Sequence, residues 1–471
     1  MSVLPANAPF LLRRLRELRV LDDAQEQSLA REGIVTLTDL ELAIAEGRAV
    51  TASPALRRAA DSLSREIRYI SLGRAWDVLE RFLSALAQCT GVDSLEPSGA
   101  VRRSAPLVQH LIVVARAPDP SRAAQCVGGL LPTSEVLHRT GRRVIVQYEG
   151  YEIDVRIATP DEYGSLLLAT TGPAAHVAEL LKRRTPRLSA SEADVYTRAG
   201  YAYLPPEARD APDALDRARA GSVPRLVARE DIRGDLHMHT SYSDGRDPLR
   251  HMVLAARSLG YEYIAVTDHS ENSAASRTMT LEDVARQGKE ITQLRAEIPD
   301  MAILHGIEVD IMPDGSLDCP DAVLATLDIV LASLHDSAGH DGKRLTRRCL
   351  KAIEHPLVSV ITHPANQLVG RRAGYDMDYP AIYEAAAHTG TALEIDGAPS
   401  HLDLSGERAR EAVQAGAAVV IDSDCHRAPA LERQMRMGVG TARRGWVEPS
   451  HVLNTRPLAD VRAFLARKRA R

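Results

Sequence analysis

Short apolar runs alternate with amphipathic stretches from residue 235 to the end of the chain. The apolar runs are rich in β-branched residues and have the length of strands, whereas the stretches between them have helical spacing. This alternation predicts β/α units around a parallel sheet. The strand candidates occur in the order DLHMHT, YIAVTDH, AILHGIEVD, IVLASLH, VSVITHP, TALEIDG and AVVIDSDCH. Seven such units predict a seven-stranded relative of the (β/α) barrel.

Nearly every predicted strand ends in a side chain that can bind a metal ion. His237 and His239 are two positions apart on the first strand, so both side chains point the same way. The C-terminal ends of parallel strands converge on one face, where such barrels place their active sites. The candidate metal ligands on this face are His237, His239, Asp244, His269, Glu308, His335, His363, Asp424 and His426.

Any one of these histidines alone has an ordinary explanation, as a satisfied core or surface residue. The convergence of six histidines, two aspartates and a glutamate on one rim favours a metal centre instead. Nine nitrogen and oxygen ligands exceed what one tetrahedral ion uses, which predicts two or three divalent ions, manganese or zinc. Such ions activate water and hold phosphoryl oxygens, so the predicted reaction is phosphoester hydrolysis.

Length and composition limit the remaining classes. A chain of 471 residues with 45% hydrophobic content suits two or three globular domains. The net charge of -5 does not indicate a nucleic-acid or membrane protein overall, although one face could still be basic. The N-terminal stretch MSVLPANAPFLLRRLRELRV has no sustained apolar segment, and no apolar run reaches about 18 residues, so neither a signal peptide nor a membrane span is predicted. Five cysteines without C-x-x-C spacing argue against a disulfide framework and a cysteine zinc site, and favour a cytoplasmic protein.

The motifs of the second half resemble those of the PHP (polymerase and histidinol phosphatase) domain. DLHMHT, VTDH, GIEVDI, ASLH, THP and DSDCH occur in that family's order within residues 232–471. The resemblance implies a distorted (β/α)7 barrel with a trinuclear metal site. It also implies a division of the ligands: one ion on His237, His239, Glu308 and Asp424, a second on Glu308, His335 and His363, and a third on Asp244, His269 and His426.

Three of these ligands, Glu308, Asp424 and His335, are the predicted catalytic residues. A bridging carboxylate such as Glu308 keeps two cations close and partly neutralised. Asp235 and Asp268 precede ligand histidines in the sequence. We expect them to support the ligands rather than to bind the ions.

Two arginine pairs in the second half are candidates for binding the phosphate of a substrate. Arg371 and Arg372 lie in LVGRRAGY, and Arg443 and Arg444 lie in TARRGW. A guanidinium group binds phosphate through forked hydrogen bonds. Ordinary surface solvation is the alternative explanation for each pair.

Further motifs occur in the first half, as YISLGRAWDVLERFL and EIDVRIATPDEYGSLLLATTG, and at the end of the chain, as MGVGTARRGWVEPSHVLNT. These stretches resemble bacterial family X DNA polymerases, whose C-terminal domain is a PHP domain. The resemblance implies a helical region with eroded helix-hairpin-helix elements over residues 1–94, a degenerate palm and thumb over 95–230, and the PHP domain over 232–471. The chain is thus predicted to be α/β, with the barrel preceded by a helical and α+β polymerase-like region.

Polymerases of this family hold two Mg²⁺ ions on three aspartates, two of which lie in a D-x-D strand. That strand should be LVQHLIVV, which has Val108 and His110 at the aspartate positions. Only the third position matches, as Asp154, and no Asp or Glu occurs from Pro97 to Arg116. One carboxylate cannot hold two hard cations beside a triphosphate. The polymerase site is therefore predicted to be inactive.

Whether the first half binds DNA stays open. Its helix-hairpin-helix turns have lost their glycine-rich character, and Asp22 and Asp23 lie at one turn, where they would repel phosphate. Arginine clusters such as LLRRLRELR, AVRRS, TGRRV and LLKRRTPR could form a basic track for the DNA backbone. Solvated helix faces explain these clusters equally well.

Three functions are compatible with the sequence. The first is a 3′–5′ exonuclease or DNA 3′-end processing enzyme with a role in DNA repair, in which an inactive polymerase region guides the DNA. The second is a small-molecule phosphatase resembling histidinol-phosphate phosphatase. The third is a non-catalytic DNA-binding or scaffold protein, which the full set of ligands disfavours because buried ligands have little structural use without a metal.

Overall fold

The computed structural model describes residues 9–470 apart from residues 67, 130–134, 182–187, 274–276 and 336–340. The chain divides into two compact units, a first unit of Met1–Val223 and a second unit of Pro224–Arg471. Each unit contains its own cluster of buried apolar side chains. Across the described residues, no helix is both long enough and apolar enough to cross a membrane.

The first unit combines a helical region with a five-stranded mixed sheet. In its described part the helices are α1 (Phe10–Glu17), α2 (Asp23–Arg31), α3 (Leu37–Ala45), α4 (Pro54–Glu66), α5 (Leu72–Leu86), α6 (Gly99–Arg102), α7 (Pro120–Gly129), α8 (Tyr163–Thr171), α9 (Ala174–Leu181), α10 (Glu192–Ala199) and α11 (Ala214–Ala220). The strands are β1 (Ile70–Ser71), β2 (Ser94–Pro97), β3 (Leu107–Val108), β4 (Leu111–Arg116), β5 (Glu135–Thr140), β6 (Arg143–Tyr148) and β7 (Tyr151–Ala158). The sheet order is β2-β4-β7-β6-β5, and β1 pairs with β3.

The turns around α2 and α3 follow from their sequence. Asp22 accepts the main-chain N–H of Gln25 at 2.7 Å and caps the start of α2. The side chain of Asp23 lies outside the described residues. Gly33 and Gly47 follow α2 and α3 with φ of 73° and 71°, the left-handed conformation that commonly ends a helix. The carboxylate of Asp22 therefore stabilises the N-terminus of its own helix, α2.

The second unit is a parallel sheet of seven strands surrounded by helices. Within its described residues the strands are β8 (Gly234–Asp235), β9 (Tyr263–Val266), β10 (Ala302–Asp310), β11 (Ile329–Ser333), β12 (Val360–Ile361), β13 (Ala392–Asp396) and β14 (Val419–Asp422). The helices are α12 (Leu249–Ser258), α13 (Leu281–Glu297), α14 (Asp321–Leu324), α15 (Gly342–Glu354), α16 (Tyr379–Thr389), α17 (Gly406–Gln414), α18 (Leu431–Arg444) and α19 (Leu458–Arg469). Each strand pairs with its neighbours in the chain, which confirms the predicted (β/α)7 architecture.

The sheet closes into a barrel at a seam between β8 and β14. Because β8 has two residues, side chains complete the pairing there. The buried carboxylate of Asp422 accepts the main-chain N–H of Leu236 at 2.7 Å, and that of Asp235 accepts the N–H of Ser423 at 3.1 Å. Asp235 therefore supports the ligands indirectly, by holding together the two strands that carry them.

Cys89 and Cys126 form a disulfide in the first unit, with 5.8 Å between their Cα atoms. The bond joins the segment after α5 to α7. The expectation of unpaired cysteines is wrong for these two, because 37 positions separate them in the chain and only the fold brings them together. The other three cysteines, Cys319, Cys349 and Cys425, are buried and free.

Candidate metal centre

The nine candidate ligands all lie at the C-terminal ends of barrel strands. Glu308 lies within β10, and the others follow β8, β9, β11, β12 and β14. Parallel strands bring these ends to one side of the barrel. The structure gathers the nine side chains into three groups, and within each group the ligand atoms lie within 4.8 Å of one another.

The first group consists of His237, His239 and Asp424. The Nε2 atoms of the two histidines lie 3.1 Å apart, and Nε2 of His239 lies 3.1 Å from Oδ1 of Asp424. The seam sets these positions: His239 donates its main-chain N–H to the carbonyl of Cys425, and Asp424 donates its own to the carbonyl of His237. These two hydrogen bonds hold the ligands that follow β8 next to the ligand that follows β14, although these strands are at opposite ends of the sheet order.

The second group consists of Glu308, His335 and His363. Oε1 of Glu308 lies 3.1 Å from Nε2 of His363 and 3.9 Å from Nε2 of His335. Oε2 of the same carboxylate lies 2.9 Å from Nδ1 of His269 and 3.4 Å from Nε2 of His237. Glu308 therefore lies close to members of all three groups, a position from which its two oxygens could be shared between ions.

The third group consists of His239, Asp244, His269 and His426. Oδ1 of Asp244 lies 3.2 Å from Nε2 of His426 and 3.6 Å from Nε2 of His269. The ring of His239 stacks against both of these imidazoles, with centroids 4.3 Å away in each case. The expected division placed His239 with the first ion alone; in the structure it also belongs to the third group.

The donor set fits divalent cations. Nδ1 of His239 and Nδ1 of His363 are buried without a hydrogen-bond partner among the described residues. Burial lowers the pKa of His363 and His426, but nearby carboxylates outweigh it and raise each to about 9. Burial raises the pKa of Glu308, yet the adjacent His237 holds it well below its ordinary value. The carboxylates thus draw positive charge to this face, and divalent ions would supply it.

Two carboxylates outside the predicted set orient ligand rings. Oε1 of Glu394 lies 2.6 Å from Nδ1 of His237, and Oδ1 of Asp310 lies 2.7 Å from Nδ1 of His335. Such a contact fixes the ring and leaves Nε2 directed at the centre. Neither residue was predicted from the sequence. Their positions in the sequence could have indicated them. Glu394 lies near the end of a predicted strand, and Asp310 follows Glu308 by two residues on the same side of its strand.

Asp268 supports the loop that leads to Asp244. Its carboxylate accepts the main-chain N–H groups of Thr240 and Ser243 at 2.7 and 3.1 Å, and the side-chain amide of Gln287 at 2.7 Å. Both carboxylate oxygens thus accept hydrogen bonds, and the bonds from Thr240 and Ser243 hold this loop in place. This arrangement matches the supporting role expected for Asp268.

A fourth group with metal-binding geometry consists of Asp396, His401 and Asp424. The ring of His401 stacks on that of His363, with 5.3 Å between centroids. Asp396 ends β13, so it occupies the same end of the barrel as the predicted ligands. This group was not predicted from the sequence, because His401 lies in a loop whose path the strand pattern does not predict.

Arg371 and Arg372 lie in the segment that follows the candidate ligand His363. Nη2 of Arg372 donates to the main-chain and side-chain oxygens of Asn366 at 2.9 and 2.8 Å. Arg371 is exposed. This pair remains a candidate for contact with a phosphate group.

Arg443 and Arg444 end α18. Arg443 donates to the main-chain carbonyl of Val227 at 3.0 Å. Through this hydrogen bond Arg443 holds the main chain near the start of the second unit. Because Arg372 also donates to a main-chain carbonyl, this contact does not distinguish the two pairs, and both remain candidates for contact with a phosphate group.

The polymerase-like positions lie in the first unit. The predicted strand LVQHLIVV is divided into β3 and β4, with Val108 buried in β3 and His110 between the two strands. Burial lowers the pKa of His110 to about 4, so the imidazole is neutral near pH 7. Neither side chain offers the anionic oxygen that Mg²⁺ requires.

Asp154 is enclosed by ion pairs. Arg143 contacts both of its carboxylate oxygens, at 2.8 and 2.7 Å, and Nε of Arg156 donates to Oδ2 at 2.8 Å. Asp39 of α3 completes the network, 2.8 Å from Arg143 and 2.7 Å from Arg156. Two guanidinium groups thus neutralise the one carboxylate that the polymerase pattern retains.

Replacing Asp154 by Asn should destabilise the first unit by about 3–5 kcal/mol, because the partly buried Arg143 and Arg156 lose the charge of a buried partner. Burial raises the pKa of Asp154, but Arg156 and Arg143 outweigh it and lower the pKa. The stabilisation is therefore present above the ordinary carboxyl pKa and is lost as the pH falls below about 4.

Thermal unfolding of the full chain measures this effect. The variant should melt below the wild type near pH 7, and the difference should shrink near pH 3. Asp216→Asn is the matched control, since that carboxylate is 82% exposed. Equal melting temperatures for wild type and Asp154→Asn near pH 7 would contradict the role of the network.

The arginines that suggested a basic track are largely neutralised within the first unit. Arg102 pairs with Glu96 at 2.7 Å and with Glu192 at 2.8 Å, and Arg103 pairs with Asp210 at 3.0 Å. The first unit has as many Arg and Lys as Asp and Glu residues. Most of the cluster LLKRRTPR lies outside the described residues. These pairs occupy arginines that a phosphate-binding track would use.

Comparison with known proteins relates both units to characterised families. The sequence matches the PHP domain family over residues 235–382. The DNA polymerase/3'-5' exonuclease PolX of Bacillus subtilis (strain 168) is 34% identical over 418 residues, which cover 84% of this chain and 73% of that protein. A probable phosphatase of Thermoanaerobacter sp. (strain X514) is 29% identical over 203 residues, 41% of this chain and 78% of that protein. The solved structure of histidinol phosphate phosphatase from Lactococcus lactis subsp. lactis Il1403, complexed with zinc, L-histidinol and phosphate, is 19% identical, covers 46% of this chain and 95% of that one, and has a TM-score of 0.36.

Proposed function

This chain belongs to the family of bacterial family X DNA polymerases with a C-terminal PHP domain, and from that premise we propose that it is a 3′–5′ exonuclease or 3′-end processing enzyme for DNA. The broader activity, metal-dependent phosphoester hydrolysis, follows from membership of this family. The observation that carries the proposal is the convergence of the candidate ligands at one end of the barrel. The similarity to a DNA-processing relative across 84% of the chain supports DNA as the substrate.

Two or three divalent ions, manganese or zinc, would activate a water molecule and bind the phosphate oxygens of the substrate. The side chains of His237 and Glu308 are at most 1% exposed, so they form the floor of the centre. Those of His335 and His426 are 19% and 34% exposed and form its open side. The substrate therefore approaches over these two histidines. We assign His335 to contact with the reacting phosphate, and Glu308 and Asp424 to holding the ions.

We propose that the first unit does not add nucleotides and instead guides the DNA. The replacement of two aspartates and the neutralisation of Asp154 by Arg143 and Arg156 support this proposal. A polymerase-like scaffold without polymerase chemistry could still place a 3′ end at a hydrolytic site. Backbone contacts suffice for such guidance, because they carry no sequence information.

A small-molecule phosphatase is the second candidate function. The ion pairs of Arg102 and Arg103 favour it, because they reduce the positive charge available for a long phosphate backbone. The relatives named as phosphatases match this chain over about the length of the second unit. A non-catalytic scaffold is disfavoured by the buried, converging ligands.

The deciding experiment compares two kinds of substrate with the full chain and Mn²⁺. Single-stranded and nicked DNA labelled at the 5′ end should shorten stepwise from the 3′ end, whereas small phosphomonoesters should be hydrolysed slowly. The Glu308→Ala chain excludes a contaminating nuclease. Rapid hydrolysis of phosphomonoesters without shortening of DNA would contradict the exonuclease proposal and support the small-molecule phosphatase. A chain that hydrolyses neither would support the scaffold.

The dependence on salt provides a second prediction. If the first unit guides DNA through its phosphates, kcat/KM for DNA should fall steeply between about 50 and 200 mM salt, because binding releases counterions. Hydrolysis of a small phosphomonoester by the same preparation should change little. Parallel salt profiles for the two substrates would contradict guidance by backbone contacts.

A further inference from the structure

Strand β13 carries a buried carboxylate that touches two of the three ligand groups. Glu394 lies within β13 and has no exposed surface. Its Oε1 accepts from Nδ1 of His237 in the first group at 2.6 Å. Its Oε2 accepts the main-chain N–H of His363 in the second group at 2.7 Å. One side chain thus spans the centre from β8 to the segment after β12.

Each of these contacts fixes a ligand in a different way. The bond to His237 places the ring proton on Nδ1 and leaves Nε2 free to bind an ion. The bond to His363 supports a main chain with φ of 26°, a conformation that residues other than glycine rarely adopt. The direction of the His363 ring depends on that conformation. Glu394 therefore determines both a ring orientation and a backbone orientation.

We infer that Glu394 is a positioning residue that couples the first and second groups, so that filling one with a metal ion orients a ligand of the other. The inference rests on the proposed metal centre. A cation held by the imidazole of His237 would strengthen its bond to Glu394, because it would increase the partial positive charge of the Nδ1–H group. The carboxylate is then held in the orientation that receives the His363 N–H. The two groups should accordingly gain and lose their ions together.

A carboxylate is required because the two donors need two acceptor oxygens. Glutamine has the same length but one oxygen, and its NH₂ group would face either the ring N–H or the main-chain N–H. One bond must therefore be lost in Glu394→Gln. Loss of such a supporting partner typically lowers metal affinity about 10- to 100-fold.

Asp310 offers a matched comparison. Its Oδ1 contacts Nδ1 of His335 at 2.7 Å, and His335 belongs to the second group. Asp310→Asn makes the same change from carboxylate to amide beside one group. Glu297→Gln is the neutral control, because that side chain is 51% exposed and pairs with Arg250 on the surface.

The test is release of manganese from the full chain. Wild type, Glu394→Gln, Asp310→Asn and Glu297→Gln are loaded with Mn²⁺ and dialysed against increasing chelator, and retained metal is measured by elemental analysis. Wild type and Glu297→Gln should release the ions of the first and second groups in one step. Glu394→Gln should release them in separate steps, at chelator concentrations about 10- to 100-fold lower. Asp310→Asn should lower retention while keeping one step.

Release by Glu394→Gln at the wild-type concentration in one step would overturn the coupling. Circular dichroism checks the fold of each chain. If the glutamine chain does not fold, Glu394→Asp takes its place, because its shorter stem keeps two oxygens but cannot reach both donors. Wild-type release by that chain would also overturn the inference. A wild type that retains no manganese would instead count against the proposed metal centre itself.

Discussion

Replacing Glu308 by Ala is expected to lower phosphoester hydrolysis on the order of 10⁴-fold, the size of loss seen when one member of a catalytic unit is removed. The two oxygens of Glu308 contact histidines of all three groups. Without this carboxylate the ions lose their shared anionic ligand and repel one another. Asp424→Ala should cause a loss of similar size, because it removes the carboxylate of the first group.

The measurement is kcat/KM on a phosphodiester, together with the metal content of each purified chain. Both variants should keep the barrel, as judged by circular dichroism, because the apolar core lies apart from these side chains. Glu297→Ala is the matched control, with an exposed glutamate of the same unit removed. Full activity with wild-type metal content in both variants would remove Glu308 and Asp424 from the proposed centre.

Templated nucleotide addition is expected to be absent. Val108 has no ligand atom, and His110 presents a neutral nitrogen where a carboxylate oxygen is needed. Arg143 and Arg156 neutralise Asp154, so Mg²⁺ would have to displace two guanidinium groups to bind it. Neither activation of a primer hydroxyl nor neutralisation of the leaving pyrophosphate would be supported.

Extension of a gapped primer with all four nucleotides tests this expectation. The Glu308→Ala chain is used so that hydrolysis does not remove the product, and Mg²⁺ and Mn²⁺ are compared. A polymerase with an intact D-x-D strand serves as the positive control. Extension by this chain that disappears in the combined Glu308→Ala and Asp154→Ala chain would show that the catalytic strand had been misplaced.

The sequence predicted the barrel because strand and helix patterns there are local. Each strand is a short apolar run followed by an amphipathic helix, and each pairs with its neighbour in the chain. His237 and Asp424 were predicted to lie close together because the C-terminal ends of parallel barrel strands meet on one face. Pattern alone was therefore enough for the architecture and for the nine predicted side chains that meet at this end of the barrel, but not for Asp396 and His401.

Contacts that depend on the length and direction of individual side chains could not be predicted from the sequence pattern. Glu394 contacts His237 from a strand on the far side of the seam, and no spacing in the sequence encodes that distance. The pairing of Arg143 with Asp39 depends on how α3 packs in the first unit. Cys89 and Cys126 are 37 positions apart in the chain, and the fold brings them together. Tertiary packing determined each of these contacts.

The seam between β8 and β14 also governs the order in which the second unit folds. Leu236 and Asp422 are 186 positions apart, and closing so long a loop carries a large entropic cost before any contact rewards it. The pairs between consecutive strands close much shorter loops, so we expect them to form earlier. During synthesis Asp424 leaves the ribosome after all the other ligands except His426. The first group can therefore assemble only when the barrel is nearly complete, so we expect an ion held by this group to be taken up late in the maturation of the chain.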